Sequence, residues 1–126
     1  MTIKGVVIMN WQYYSRFMWM NGMKGDGMNF KFCKSDMVDN DGVFVIIPHY
    51  YKSFAIKGYS VWYQSKAHVQ QGGSNFALKI KKCNSFEEGK RIAEQFYTDF
   101  KSGKNPKFVG TQYFDSDTYM EGPFCE

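Results

Sequence analysis

Leucine is almost missing from this chain, since Leu78 is the only one among 126 residues. The apolar mass sits instead in 12 Phe, 9 Tyr and 3 Trp, with seven Ile and eight Val beside them. Aromatic and β-branched residues suit a pleated, half-buried surface, so the composition leans toward sheet. Cysteine is also sparse: Cys33, Cys83 and Cys125 lie far apart. None has the paired spacing of a zinc site or a redox dithiol, so no metal is expected. An odd count in a chain of this size points to a reducing compartment. Long apolar runs are absent too. The longest, residues 43–47 (VFVII), falls far short of the ~20 residues that span a bilayer. Residues 1–9 lack both a long apolar core and a small-residue cleavage site. The expectation is a cytoplasmic protein with no membrane association and no cofactor.

Histidine numbers two, His49 and His68, and no G-x-S-x-G nucleophile motif accompanies either. The chain therefore reads as a binding protein and not an enzyme, with no catalytic residue assigned. Residues 36–42 (DMVDNDG) place Asp39, Asp41 and Gly42 as a calcium loop would, but Met37 and Pro48 stand where two carboxylates are required. A polar turn is the reading. Gly22, Gly25 and Gly27 with Lys24 fit neither a P-loop nor a dinucleotide fingerprint. Their Asn-Gly and Asp-Gly pairs suit a hairpin loop instead.

Around that loop the chain alternates in the manner of strands. An apolar stretch from Val6 to Met9 and an aromatic run from Trp11 to Met20 precede it. Met28, Phe30 and Phe32 follow in period-2 spacing, which gives a strand with one wet face. Residues 43–47 suit a strand buried on both sides, which Pro48 ends or places at an edge. Phe54, Ile56, Tyr59, Val61 and Tyr63 suggest one or two more strands. After a loop at 70–75 (QQGGSN), Phe76, Leu78 and Ile80 face one way while Lys79 and Lys81 face the other.

A helix from Ser85 to Ser102 carries the clearest local signals. Ser85 and Glu88 form a capping box, Glu87 and Glu88 lie near the positive end of the macrodipole, and Lys101 and Lys104 lie near the negative end. Gly103 supplies the C′ residue and Pro106 blocks continuation. Phe86, Gly89, Ala93, Phe96 and Phe100 recur at steps of three and four as one apolar stripe. A last strand, 107–114, and an acidic tail, 115–126, complete the chain. The expected fold is α+β in one domain, residues 1–114: an antiparallel sheet of about five to seven strands with one C-terminal amphipathic helix packed on one face.

The net charge is +4, and residues 76–107 hold all of it, with eight basic residues against four acidic ones. A basic strand directly before a capped helix suits a polyanion. Lys79, Lys81, Lys82, Lys90 and Arg91 are the expected phosphate contacts, with Trp62 and Tyr63 as stacking residues, for nucleic acid or a nucleoprotein complex. Residues 57–60 open like the RNA-recognition-motif signature, but Val61 and Gln64 break it. Residues 59–103 resemble the sheet-plus-helix modules of AP2 and integrase arm-binding domains, in which a three-stranded sheet enters the major groove. That resemblance implies Trp62, Gln64, Lys66, Lys79 and Lys81 as groove-facing. The arginines such sheets use are missing, because the chain has only Arg16 and Arg91. The alternative expectation is a protein–protein inhibitor, similar in style to bacteriophage anti-CRISPR and other anti-defence proteins. Its interface would be Met18, Trp19, Met20 and Met23.

Overall fold

The computed structural model describes residues 7–19, 27–36, 38, 42–50, 55–65, 76–107 and 110–113. Six strands follow in chain order: β1 (Trp11–Trp19), β2 (Gly27–Ser35), β3 (Gly42–Tyr50), β4 (Ile56–Ser65), β5 (Phe76–Cys83) and β6 (Gly110–Tyr113). Helix α1 (Phe86–Lys101) lies between the last two. Each strand pairs antiparallel with its sequence neighbour, so the sheet order is β1-β2-β3-β4-β5-β6. This is the α+β architecture the composition and the single capped helix predict.

Strand β3 owes its central place to its continuous apolar run. Phe44 and Ile46 point toward α1, Val45 and Ile47 point the other way, and none of the four is more than 3 % exposed. Strand β3 does not stop at Pro48 but runs on to Tyr50. The proline is tolerated because the β2 ladder pairs only Cys33 with Ile46 and Lys34 with Val45, leaving Pro48 with β4 as its strand neighbour, opposite Tyr59. Ser35 extends the contact between β2 and β3 by its side chain, its Oγ accepting the Phe44 N–H at 2.9 Å. The residues between Phe54 and Tyr63 give one strand, β4, which starts at Ile56.

Helix α1 begins and ends as its sequence dictates. Ser85 Oγ accepts the Glu88 N–H at 3.0 Å. At the other end Gly103 takes φ 89°, with its N–H donating to the Phe100 carbonyl and that of Lys104 to the Asp99 carbonyl, a Schellman arrangement. Gly89 and Ala93 are the buried positions of the helix. Their small size lets α1 settle onto a cluster of Cys33, Phe44, Ile46, Val61, Ile80 and Cys83, with Phe86, Phe96 and Tyr97 packed around it. Phe100, read as the last residue of that stripe, is 60 % exposed and stacks on Tyr97 instead.

The first described residues are not strand. Val7 to Asn10 run as a strap along α1, with the Val7 N–H bound to Thr98 Oγ1 at 2.8 Å and the Met9 N–H to Glu94 Oε2 at 2.9 Å. The same carboxylate oxygen accepts the Trp11 indole N–H at 3.3 Å, so Glu94 ties strap, strand and helix together. The terminal strand is short, Gly110–Tyr113, and Lys107 lies outside it. The loop at 70–75, the acidic tail, Phe54, Met20, Met23, Asp39 and Asp41 lie outside the described residues. Among the described residues, no helix is long and apolar enough to cross a membrane.

Candidate nucleic-acid interface

The basic residues of β5 do not share one face, because the strand is bulged. Lys81 pairs with Val61 and Lys79 with Trp62, and Ile80 has no partner between them. Val61 and Trp62 are neighbours on β4 and point to opposite faces, so Lys79 and Lys81 take register positions on opposite faces as well. The alternation expected over 76–81 breaks at this bulge. Lys79 lies on the side away from α1, with its Nζ 5.6 Å from the Trp62 ring centre. Lys82 pairs with Ser60 on that same side and is exposed. Lys81 and Arg91 are exposed, on β5 and α1 respectively. The sheet thus divides the lysines that sequence places together.

The expected stacking residues are covered. Trp62 is 3 % exposed, and its indole N–H is bound to Ser60 Oγ at 2.7 Å. Tyr63 is half-buried against Phe44, with ring centres 5.0 Å apart. Gln64 is also buried, at 9 % exposure. Of the groove-facing set implied by the AP2 and integrase resemblance, Trp62 and Gln64 are buried, Lys79 is half-buried, Lys81 is exposed, and Lys66 lies outside the described residues. Ser60 Oγ also lies 2.6 Å from His49 Nε2, but Ser60 is fully buried. Ser60 thus links His49 and Trp62 on the side of the sheet away from α1.

Basic and aromatic side chains do converge elsewhere, on the β1–β2 hairpin. Tyr13 on β1 is 42 % exposed. Lys31 Nζ from β2 stands 4.5 Å from its ring centre, and Lys90 Nζ from α1 stands 4.8 Å from it. Phe86 meets the same ring edge-on at 5.3 Å and packs on Tyr59 at 4.7 Å, which fixes the tyrosine against the helix start. Lys90 also binds Glu87 at 3.2 Å. Burial pushes the Lys90 ammonium toward neutrality, but its bonds to Tyr13 and Glu87 outweigh this and hold it charged. On the opposite face Tyr14, 43 % exposed, stacks on Phe32 at 5.6 Å, with Lys34 Nζ 5.9 Å from its ring centre. Burial alone lowers the pKa of Lys34.

Sequence reasoning assigned Lys90 but missed Tyr13, Tyr14, Lys31 and Lys34. The signal for them is the hairpin register: Tyr13 pairs with Cys33 and Tyr14 with Phe32, which makes Lys31 and Lys34 their diagonal neighbours. Met18 and Trp19, expected at a protein interface, occupy the far end of β1, opposite Met28 and Gly27. The two buried thiols take no part in this surface, and desolvation pushes Cys33 up to about 12 and raises Cys83. No family model, curated protein or solved structure matches the chain.

Proposed function

We propose that the chain is a non-enzymatic binding domain that contacts nucleic acid, or a complex containing it, through a basic and aromatic surface. The observation that carries this reading is the exposed Tyr13 ring with the ammonium groups of Lys31 and Lys90 at 4.5 and 4.8 Å from its centre. A base stacks on the open part of such a ring, and the flanking lysines neutralise the phosphates on either side of it. Lys81, Lys82 and Arg91 add exposed positive charge. A single strand fits better than a duplex, because the cations beside Tyr13 are lysines, which supply point charges without the bidentate fork that reads base edges.

The test is fluorescence anisotropy with labelled single-stranded and duplex oligonucleotides at two salt concentrations. Binding should weaken with salt at a log-log slope of about −0.7 per phosphate neutralised on a single strand. Tyr13→Ala should cost ~1–3 kcal/mol of affinity if a base stacks there. Lack of binding to any oligonucleotide at low salt would remove the proposal. A second reading, a bacteriophage-type protein inhibitor of a host defence complex, is favoured by the position of Met18 and Trp19 on the outermost strand. Capture of a protein partner that Trp19→Ala abolishes without unfolding the domain would support it over the first.

A further inference from the structure

We infer that two copies of this chain pair edge to edge along β1 about a two-fold axis through Ser15. Among the described residues strand β1 ends the sheet, with β2 as its neighbour in the strand order. All nine of its residues pair with β2 in one unbroken register, from Trp11 opposite Ser35 to Trp19 opposite Gly27. Natural edge strands are blunted by lysine, proline, bulges or shortness. The segment WQYYSRFMW has no lysine and no proline, and it is long and unbulged. Its outer edge is a template for another strand.

The sequence of β1 identifies that strand as its own copy. At the odd-numbered positions, aromatic residues stand at 11, 13, 17 and 19, symmetric about Ser15; Tyr14 is the one aromatic outside this set. An antiparallel two-fold pair centred on Ser15 sets Trp11 opposite Trp19 of the second copy and Tyr13 opposite Phe17. Positions 11, 13, 17 and 19 share one parity, so they take register positions on one face of the strand. Arg16, the single charged position of β1, then takes the register position opposite residue 14 of the second copy. A pair centred on Arg16 would instead oppose two guanidinium groups, so charge selects the Ser15 register. The edge is about 30 Å long. That strip is smaller than a standard stable interface, so the dimer should dissociate in the micromolar range.

In this dimer Tyr13, the proposed stacking residue, lies opposite position 17 of the second copy, so anisotropy is measured on Ser15→Glu as well as on the wild type and reads oligonucleotide binding separately from dimerisation. The test is sedimentation equilibrium from about 1 to 200 µM, bracketing that range. The expected result is a reversible dimer that Ser15→Glu abolishes, because the axis sets each introduced carboxylate against its own copy, while the circular-dichroism melt is unchanged. In a Cys125→Ser background, Ser15→Cys should cross-link on oxidation, since directly opposed residues have Cα atoms ~4.5–5.5 Å apart, within disulfide range. Tyr13→Cys should not, since its two copies would lie about 14 Å apart along the strands. A monomer at every concentration, a dimer that survives Ser15→Glu, or cross-linking at 13 but not 15 would overturn the inference. A monomer whose β1 amides resist hydrogen exchange would overturn it as well, by showing that another part of the same chain covers the edge.

Discussion

Replacing Gly89 by alanine sets two known effects against each other at one atom. In a solvent-facing helix the change would stabilise by ~0.8–1 kcal/mol, because glycine is the weaker helix former. Here the added Cβ would stand 2.9 Å from Ile46 Cδ1, 3.0 Å from Ile46 Cγ2 and 3.2 Å from Cys83 Sγ. Ile46 is fully buried and Cys83 is 5 % exposed, so neither neighbour has free space to retreat into. Overpacking of this kind costs ~1–3 kcal/mol. The expected balance is a net loss of ~1 kcal/mol, or a fall of roughly 4 °C in Tm for a chain of this size. Ile46→Val removes the atom nearest the new methyl group. Alone it should cost ~0.5–1.5 kcal/mol, but on the alanine background it should cost almost nothing. Urea denaturation of the wild type, both single variants and the double variant measures this coupling, with a constant m-value as the control. A stabilised Gly89→Ala protein, or strictly additive variants, would refute the close helix–sheet approach described above.

Two further outcomes follow from buried polar groups. Glu94→Ala should destabilise by ~1–3 kcal/mol in the same assay, because the Met9 N–H and the Trp11 indole lose their shared acceptor. Glu94→Gln keeps an acceptor oxygen and should recover most of that loss, whereas equal effects of the two variants would point to the charge. The Cys33 thiol, pushed up to about 12 by burial, stays protonated in the folded chain while the unfolded thiol ionises near its ordinary 9.0. The unfolded state therefore releases the proton first, and stability is flat below pH 9 and falls as pH rises from 9 toward 12. Melting curves between pH 8 and 10 should show this fall, reduced in Cys33→Ala, and a melting point that rises with pH would contradict the burial.

The helix was legible in the sequence because its signals are local: a capping serine, acidic residues in the first turn, and Gly103 at the positive-φ position that ends it. Strands β2 to β5 were legible from period-2 alternation and from one continuous apolar run. The bulge at Ile80 was not, because it depends on how β5 meets β4, and nothing within residues 76–83 marks it. That one extra residue reassigns Lys79 and Lys81, and with it the shape of the basic surface. The exposure of Tyr13 was hidden for a related reason. An aromatic residue in a β-rich chain reads as core, and only the place of β1 at the end of the sheet brings its ring to solvent. The strap of Val7 to Asn10 looked like strand because its apolar residues pack, yet its N–H groups are satisfied by Thr98 and Glu94 instead of a ladder.

Strand order that matches chain order has a kinetic corollary. Every ladder up to β5 joins segments that leave the ribosome one after the other, so each new strand finds its partner already made. Loop-closure entropy stays small at each step, and nascent chains have little opportunity to mispair. Only β6 must wait for the helix to form before it can add to β5. Assembly of this chain is thus expected to advance vectorially during synthesis, with its final strand as the latch.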